Sequence, residues 1–120
     1  MTARPTWIET DTSAIADNMR ILRAYLRPDV RWLAVVKADA YGHGAPYAAR
    51  CLEGLGAAYF AVSNLDEAKQ LRNAGIRAHI LILGYTPPDD FPQLFSLRLT
   101  QTVMSLDYAS ALSAAAAACC

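Results

Sequence analysis

Ala34-Val35-Val36-Lys37-Ala38-Asp39-Ala40-Tyr41-Gly42-His43-Gly44 sets a lysine directly against the end of an apolar, valine-rich run that begins at Trp32. A run of that kind, Trp32 to Val36, predicts a short strand covered on both faces. Such a strand delivers its next residue to the carboxyl-terminal edge of a parallel sheet, where α/β folds keep their active sites. A lysine there is partly withdrawn from water, which disfavours the ammonium form and frees the amine as a nucleophile for an aldehyde. Tyr41, four residues on, can donate a phenolic hydrogen bond to an anion. Gly42 and Gly44 leave the backbone around His43 free for positive φ and for close approach by a ligand. On spacing alone the same residues are more simply a solvated loop with a packed aromatic.

Working outward, Ile15, Met19, Leu22 and Leu26 recur at helical spacing, with Asp11, Thr12 and Ser13 as caps and Pro28 as a stop, so Ser13 to Leu26 reads as a helix. A second helix starts near Pro46 and runs through Cys51 and Leu52 to Gly54 and Gly56. Tyr59 to Val62 reads as strand. Ser63 or Asn64 can cap a third helix ending at Gly75, since Asn64 with Glu67 three residues later matches a capping box. Ile80 to Leu83 is a third strand, and Pro87-Pro88 breaks the chain before a helical turn at Phe91 to Phe95. Leu99 to Met104 suggests a fourth strand, and Asp107 can cap a final alanine-rich helix.

Strand starts near positions 33, 59, 80 and 99 recur at the spacing of successive β-α units in a parallel sheet. Four such units fit either an open doubly wound sheet or half of an eight-stranded barrel, and periodicity does not separate the two. A full (β/α)8 barrel takes about 250 residues. The chain of 120 stops inside a helical pattern without cap or glycine, so a barrel reading expects a truncated carboxyl end.

Composition narrows the function classes. The chain is 54% apolar and 18% charged, enough to bury a core. Eleven basic residues balance eleven acidic ones, which removes the electrostatic footprint of nucleic-acid or membrane-surface binding. Cys51 stands alone and Cys119 adjoins Cys120, neither a disulfide framework nor a spaced metal motif, which suits a reducing compartment. No leader-like segment opens the chain and its apolar runs are far shorter than a bilayer span, so the expectation is a soluble cytoplasmic protein.

The eleven-residue string also closely resembles the pyridoxal-phosphate lysine motif of alanine racemases. Two more stretches agree in order and spacing: Arg4 to Asp11, with its Thr6-Trp7-Ile8-Glu9 core, is similar to that family's opening strand, and Ile80-Leu81-Ile82-Leu83-Gly84 to its third barrel strand. The resemblance covers nearly the whole chain to about Leu106. It implies the amino-terminal part of a (β/α)8 TIM-type barrel, residues 12–120. Residues 1–11 would then be a strand belonging to a mainly β second domain not contained in this chain. It implies interconversion of L- and D-alanine, the D-isomer serving peptidoglycan, on pyridoxal 5'-phosphate. Lys37 is then the Schiff-base anchor and one of two acid-base groups, Tyr41 contacts the cofactor phosphate, and Leu83 faces the cofactor ring. No metal is implied. The second acid-base group, a tyrosine of a partner subunit in a homodimer, and an arginine near the pyridine nitrogen would both lie beyond Cys120.

Blander readings stand beside the smaller candidates. Asp39 is placed to hydrogen-bond the turn rather than to catalyse. His43 braces the backbone or the loop's aromatic in preference to shuttling protons. His79 precedes a strand and is structural. Leu83 competes with plain core packing, and two adjacent cysteines without companions do not make a metal site. Alternatives to an alanine racemase are a serine or broad-specificity racemase, including the soluble half of a membrane-bound relative, against which Met1 close to the motif argues. A non-catalytic cofactor carrier on a single-domain barrel is another. The last is an inactive half-barrel that associates through unpaired sheet edges.

Overall fold

The structure, a computed structural model, describes residues 6–119. Residues 6–11 belong to no helix or strand, and Arg4 and Pro5 lie outside the described residues. Helix α1 (Thr12–Ala24) begins where the Asp11 carboxylate accepts the backbone N–H groups of Ser13 and Ala14, at 2.8 and 3.2 Å. Strand β1 (Leu33–Val35) leads into α2 (Lys37–Tyr41), a single turn, and then α3 (Ala45–Gly54). Pro46 sits in the first turn of α3, where a missing N–H costs nothing. Its buried face is Ala45, Ala48 and Ala49, small side chains that let helix and sheet approach closely.

The rest keeps the same rhythm: β2 (Tyr59–Val62), α4 (Leu65–Asn73), β3 (His79–Ile82), a 3-10 turn (Pro88–Asp90), α5 (Phe91–Ser96), β4 (Leu99–Gln101) and α6 (Leu106–Ala118). Asn64 caps α4 and Ser105 caps α6. Asp107, read from sequence as the α6 cap, lies instead inside its first turn, because the Ser105 hydroxyl reaches the Tyr108 N–H first. The fourth strand is shorter than Leu99 to Met104: pairing stops at Gln101, and Val103 and Met104 are exposed. His79 opens β3 rather than preceding it, and its ring stacks on Tyr59 with centroids 5.0 Å apart.

All four strands are parallel and lie in chain order, β1-β2-β3-β4, with Ala34, Phe60, Ile80 and Leu99 in one cross-strand row. That order decides between the two architectures the sequence left open. A doubly wound sheet reverses direction at a switch point and covers both faces; a barrel adds each strand to the same side and keeps its helices outside. Here Ala34, Val36, Phe60, Val62, Ile80 and Ile82 pack with the helices into one core, while Leu33 and Val35 on the other face are 41% and 42% exposed. The expectation of a strand covered on both faces is therefore met on one face only. The inner side of an unclosed barrel has nothing opposite it among the described residues. The α1 stripe behaves alike: Ile15 packs on the core, but Leu22 and Leu26 are exposed.

Two polar clusters hold the layers in place. The Arg72 guanidinium donates to the carbonyls of Ile76, Ala78, Leu97 and Arg98 at 2.7 to 3.0 Å, tying α4 to the loops before β3 and β4. The Tyr108 hydroxyl donates to the carbonyl of Thr86 at 2.9 Å while its ring meets the edge of Phe91. Burial pushes the Tyr108 phenol above its usual 10.0. Its folded-state pKa is thus raised, so its contribution to stability is complete below about pH 10 and is lost as pH climbs through the raised value. Tyr108→Phe is expected to cost about 1 kcal/mol at pH 7 and to flatten the alkaline fall in stability. Urea titrations at neutral and alkaline pH check both.

Candidate active site

The Val36 N–H donates to the carbonyl of Ala61 at 2.9 Å and carries the β1 ladder one residue past its end; Lys37 comes next, half-buried at the strand tip. Leu83 extends β3 in the same manner, its N–H bonding the Val62 carbonyl at 2.9 Å, and it is 39% exposed on the open face. Ser63 occupies the tip of β2 between them, so Lys37 and Leu83 stand at one end of the sheet, two strand spacings apart, about 10 Å. Gly84, next after Leu83, lies hard against the β2 tip, where a Cβ would meet the Ser63 carbonyl oxygen at 2.5 Å. A crevice of about 160 Å³ lined by Val35, Val36, Ala40 and His43 adjoins the β1 tip. The larger hollow, about 630 Å³ among Arg72, Arg77, His79 and Arg98, is at the opposite end of the strands.

The segment after Lys37 is not the pliant glycine-framed loop expected from sequence. Ala38, Asp39, Ala40 and Tyr41 all have φ between +51° and +56°, a full turn of left-handed helix built without glycine. For L-residues that hand costs about 1–2 kcal/mol each, so the turn persists only because its surroundings over-determine it. The Ala40 N–H bonds the Val36 carbonyl at 2.9 Å and the Ala40 side chain is buried. The Asp39 carboxylate accepts the Ala45 N–H at 2.7 Å, closing the turn onto the start of α3. His43 Nδ1 donates to the Ala40 carbonyl at 2.8 Å, the bracing role read from sequence. Gly42 and Gly44 do take positive φ, +88° and +83°. Tyr41, the last residue of the turn that begins at the β1 tip, is 62% exposed.

One participant escaped the sequence reading. The capping box forms only by half: the Asn64 side chain accepts the Glu67 N–H at 3.0 Å, but the Glu67 carboxylate does not turn back to Asn64. It reaches across the strand tips, one oxygen accepting the Ala38 N–H at 2.8 Å and the other the Ser63 N–H at 2.7 Å. The capping pattern was the only signal, and it named the residue without its direction.

A family model described as "Alanine racemase, N-terminal domain" matches residues 10–119. The chain belongs to the alanine racemase family. It is 49% identical over 113 residues to the alanine racemase of Desulfovibrio desulfuricans, covering 94% of this chain and 30% of that protein. An alanine racemase of Clostridium difficile 630 superposes with a TM-score of 0.94 at 36% identity, over 99% of this chain and 31% of that one. A histidine racemase from Leuconostoc mesenteroides subsp. sake aligns with a TM-score of 0.75 at 28% identity, over 84% of this chain and 27% of that chain. The chain thus spans about three tenths of the length of these relatives. The alanine racemase N-terminal domain is the TIM-barrel part, and the four β/α units are a portion of it. Among the described residues no group of three or more His, Cys, Asp or Glu could hold a metal ion, and no helix is long and apolar enough to cross a membrane.

Proposed function

We propose that this chain is the cofactor-anchoring, amino-terminal part of an alanine racemase that interconverts L- and D-alanine. Lys37 is the anchor for pyridoxal 5'-phosphate and one of the two acid-base groups, Tyr41 is a contact for the cofactor's phosphate, and Leu83 is a wall beside its ring. The observation that carries this reading is the placement of Lys37 at the carboxyl tip of β1, on a turn whose backbone is strained and fixed. The residues present fit the group: an amine at the tip of the sheet, an apolar side chain two strands away, and an exposed tyrosine on the turn that follows the amine. When bound, pyridoxal 5'-phosphate supplies an aldehyde for the amine, with loss of water, and a ring that draws electron density from the substrate's α-carbon. The chain's own part is to hold the amine in place and to move a proton at its nitrogen.

Residues 1–11 then become a strand only on pairing with a second domain, residues 6–11 belonging to none here, and residues 12–120 are the opening of the barrel. The free Cys51 and Cys119 suit a cytoplasmic setting, and the active enzyme is a homodimer because the second acid-base group comes from a partner. A racemase of broader or different specificity is the second reading. The shared segment in a histidine racemase favours it, since this part of the fold is compatible with more than one substrate.

The chain has two lysines, Lys37 and Lys69, and Lys69 stands on α4 with its amine 3.4 Å from Asp66. Incubation with pyridoxal 5'-phosphate, borohydride reduction and peptide mapping should place the adduct chiefly on Lys37. An adduct confined to Lys69 or the amino terminus would overturn the assignment.

A further inference from the structure

Among the described residues Glu67 makes no side-chain hydrogen bond to Lys37, Tyr41 or Leu83, yet its carboxylate joins the backbone just after Lys37 to the tip of the neighbouring strand. Its two oxygens are divided between the N–H just after Lys37 and the N–H at the tip of β2. We propose that Glu67 is a positioning residue: its carboxylate bolts the chain after Lys37 to β2 and thereby fixes where the lysine amine stands. The inference rests on Lys37 being the cofactor anchor.

Three features point to positioning rather than helix capping. A first-turn glutamate serving only its own helix would return to the cap residue's N–H, whereas this one leaves Asn64 aside and ties Ser63, four residues back, to Ala38, 29 residues away. The bond falls on Ala38, the residue where the backbone enters the left-handed region, so it defines the start of the strained turn. The far end of that turn is held separately, by Asp39 on Ala45 and by His43 on Ala40. Removing Glu67 therefore frees the Lys37 end and leaves the Gly44 end in place. A lysine amine rides on a flexible four-carbon stem, so its position is only as definite as the backbone beneath it, and here the Glu67 carboxylate completes what the Val36 bonds to Ala61 and Ala40 begin.

Glu67→Ala removes both acceptors, and Glu67→Gln keeps one oxygen while turning a donor toward the other N–H. Amide exchange monitored by NMR is expected to quicken at least about tenfold at Ala38 and Ser63 in Glu67→Ala, with Gly44 and Ala45 unchanged. In the same variant the Lys37 to Lys69 adduct ratio after pyridoxal 5'-phosphate and borohydride is expected to fall about fivefold, a shift of roughly 1 kcal/mol in relative reactivity. Glu67→Gln should lie between and gives the folded comparison if the alanine variant does not hold together. Unchanged exchange at Ala38 overturns the inference, and so does an unchanged ratio once Ala38 has loosened. An unaltered chain that favours Lys69 overturns the cofactor reading instead, and exchange at Ala38 then judges the positioning by itself.

Discussion

Lys37→Ala, made in a chain extended to the length of its relatives, is expected to lower alanine racemisation by about 10²- to 10⁴-fold, the usual range for losing a positioned acid-base group. The structure gives no substitute for it. Lys69 is carried by α4 on the helix-covered side and faces Asp66, so no backbone adjustment within the sheet brings a second amine to the tip of β1. The variant should also lose the borohydride-stable cofactor adduct from the peptide that carries position 37. A small free amine added to the solution should restore part of the rate, which it could not do if the defect were misfolding. Loss of optical activity from L-alanine measures the rate, and a variant racemising as fast as the parent would end the assignment of Lys37.

Arg72→Met is expected to destabilise the fold by about 3 kcal/mol, a large share of the roughly 5–15 kcal/mol typical of a domain. The guanidinium meets four carbonyls from the turn after α4, the approach to β3 and the turn before β4. Hydrogen bonds involving a charged group contribute about 1.5–3 kcal/mol singly, but bonds that share one side chain do not add. Burial lowers the Arg72 pKa, with Glu53 opposing and Arg98 reinforcing the shift, so desolvation offsets part of the gain. Methionine keeps much of the stem's packing and loses every donor. Arg72→Lys should recover little, since an ammonium cannot span carbonyls laid out for a planar fork. The midpoint of urea unfolding reads both variants; a loss under about 1 kcal/mol for methionine would show that the carbonyls find other partners. The site lies at the other end of the strands, so the preference for an adduct on Lys37 should survive in the folded fraction.

Local signals were readable wherever a short stretch carried its own physics. Asp11 and Asn64 cap helices because their side chains reach N–H groups two or three residues on, and Gly75 marks the end of α4 with φ +86°. The lysine motif announced its own place, since a buried run that ends at Lys37 puts that residue at a strand tip. Features that depended on distant partners were not readable. Strand order separates a barrel from a doubly wound sheet, and order is set by which face every helix packs on. The stripe of Leu22 and Leu26 has helical spacing whether or not anything lies opposite it. The hand of the turn at residues 38–41 is the sharpest case: alanine ordinarily favours the right-handed helix, and nothing in Ala38 or Ala40 reveals that Val36, Glu67 and Asp39 hold them in the opposite one. Glu67 itself looked like half of a local motif because one of its partners, Ser63, is only four residues back, while the other, Ala38, is 29 residues earlier on a neighbouring strand's tip.

That reversed turn also governs how this stretch can drift over generations. Mutations there are filtered by chirality before they are filtered by chemistry. Glycine, asparagine and aspartate enter the left-handed region at low cost, whereas valine, isoleucine and threonine carry a second branch at Cβ that crowds it. Two plain alanines, which on any helix surface would be the most replaceable of residues, become positions with a narrow alphabet.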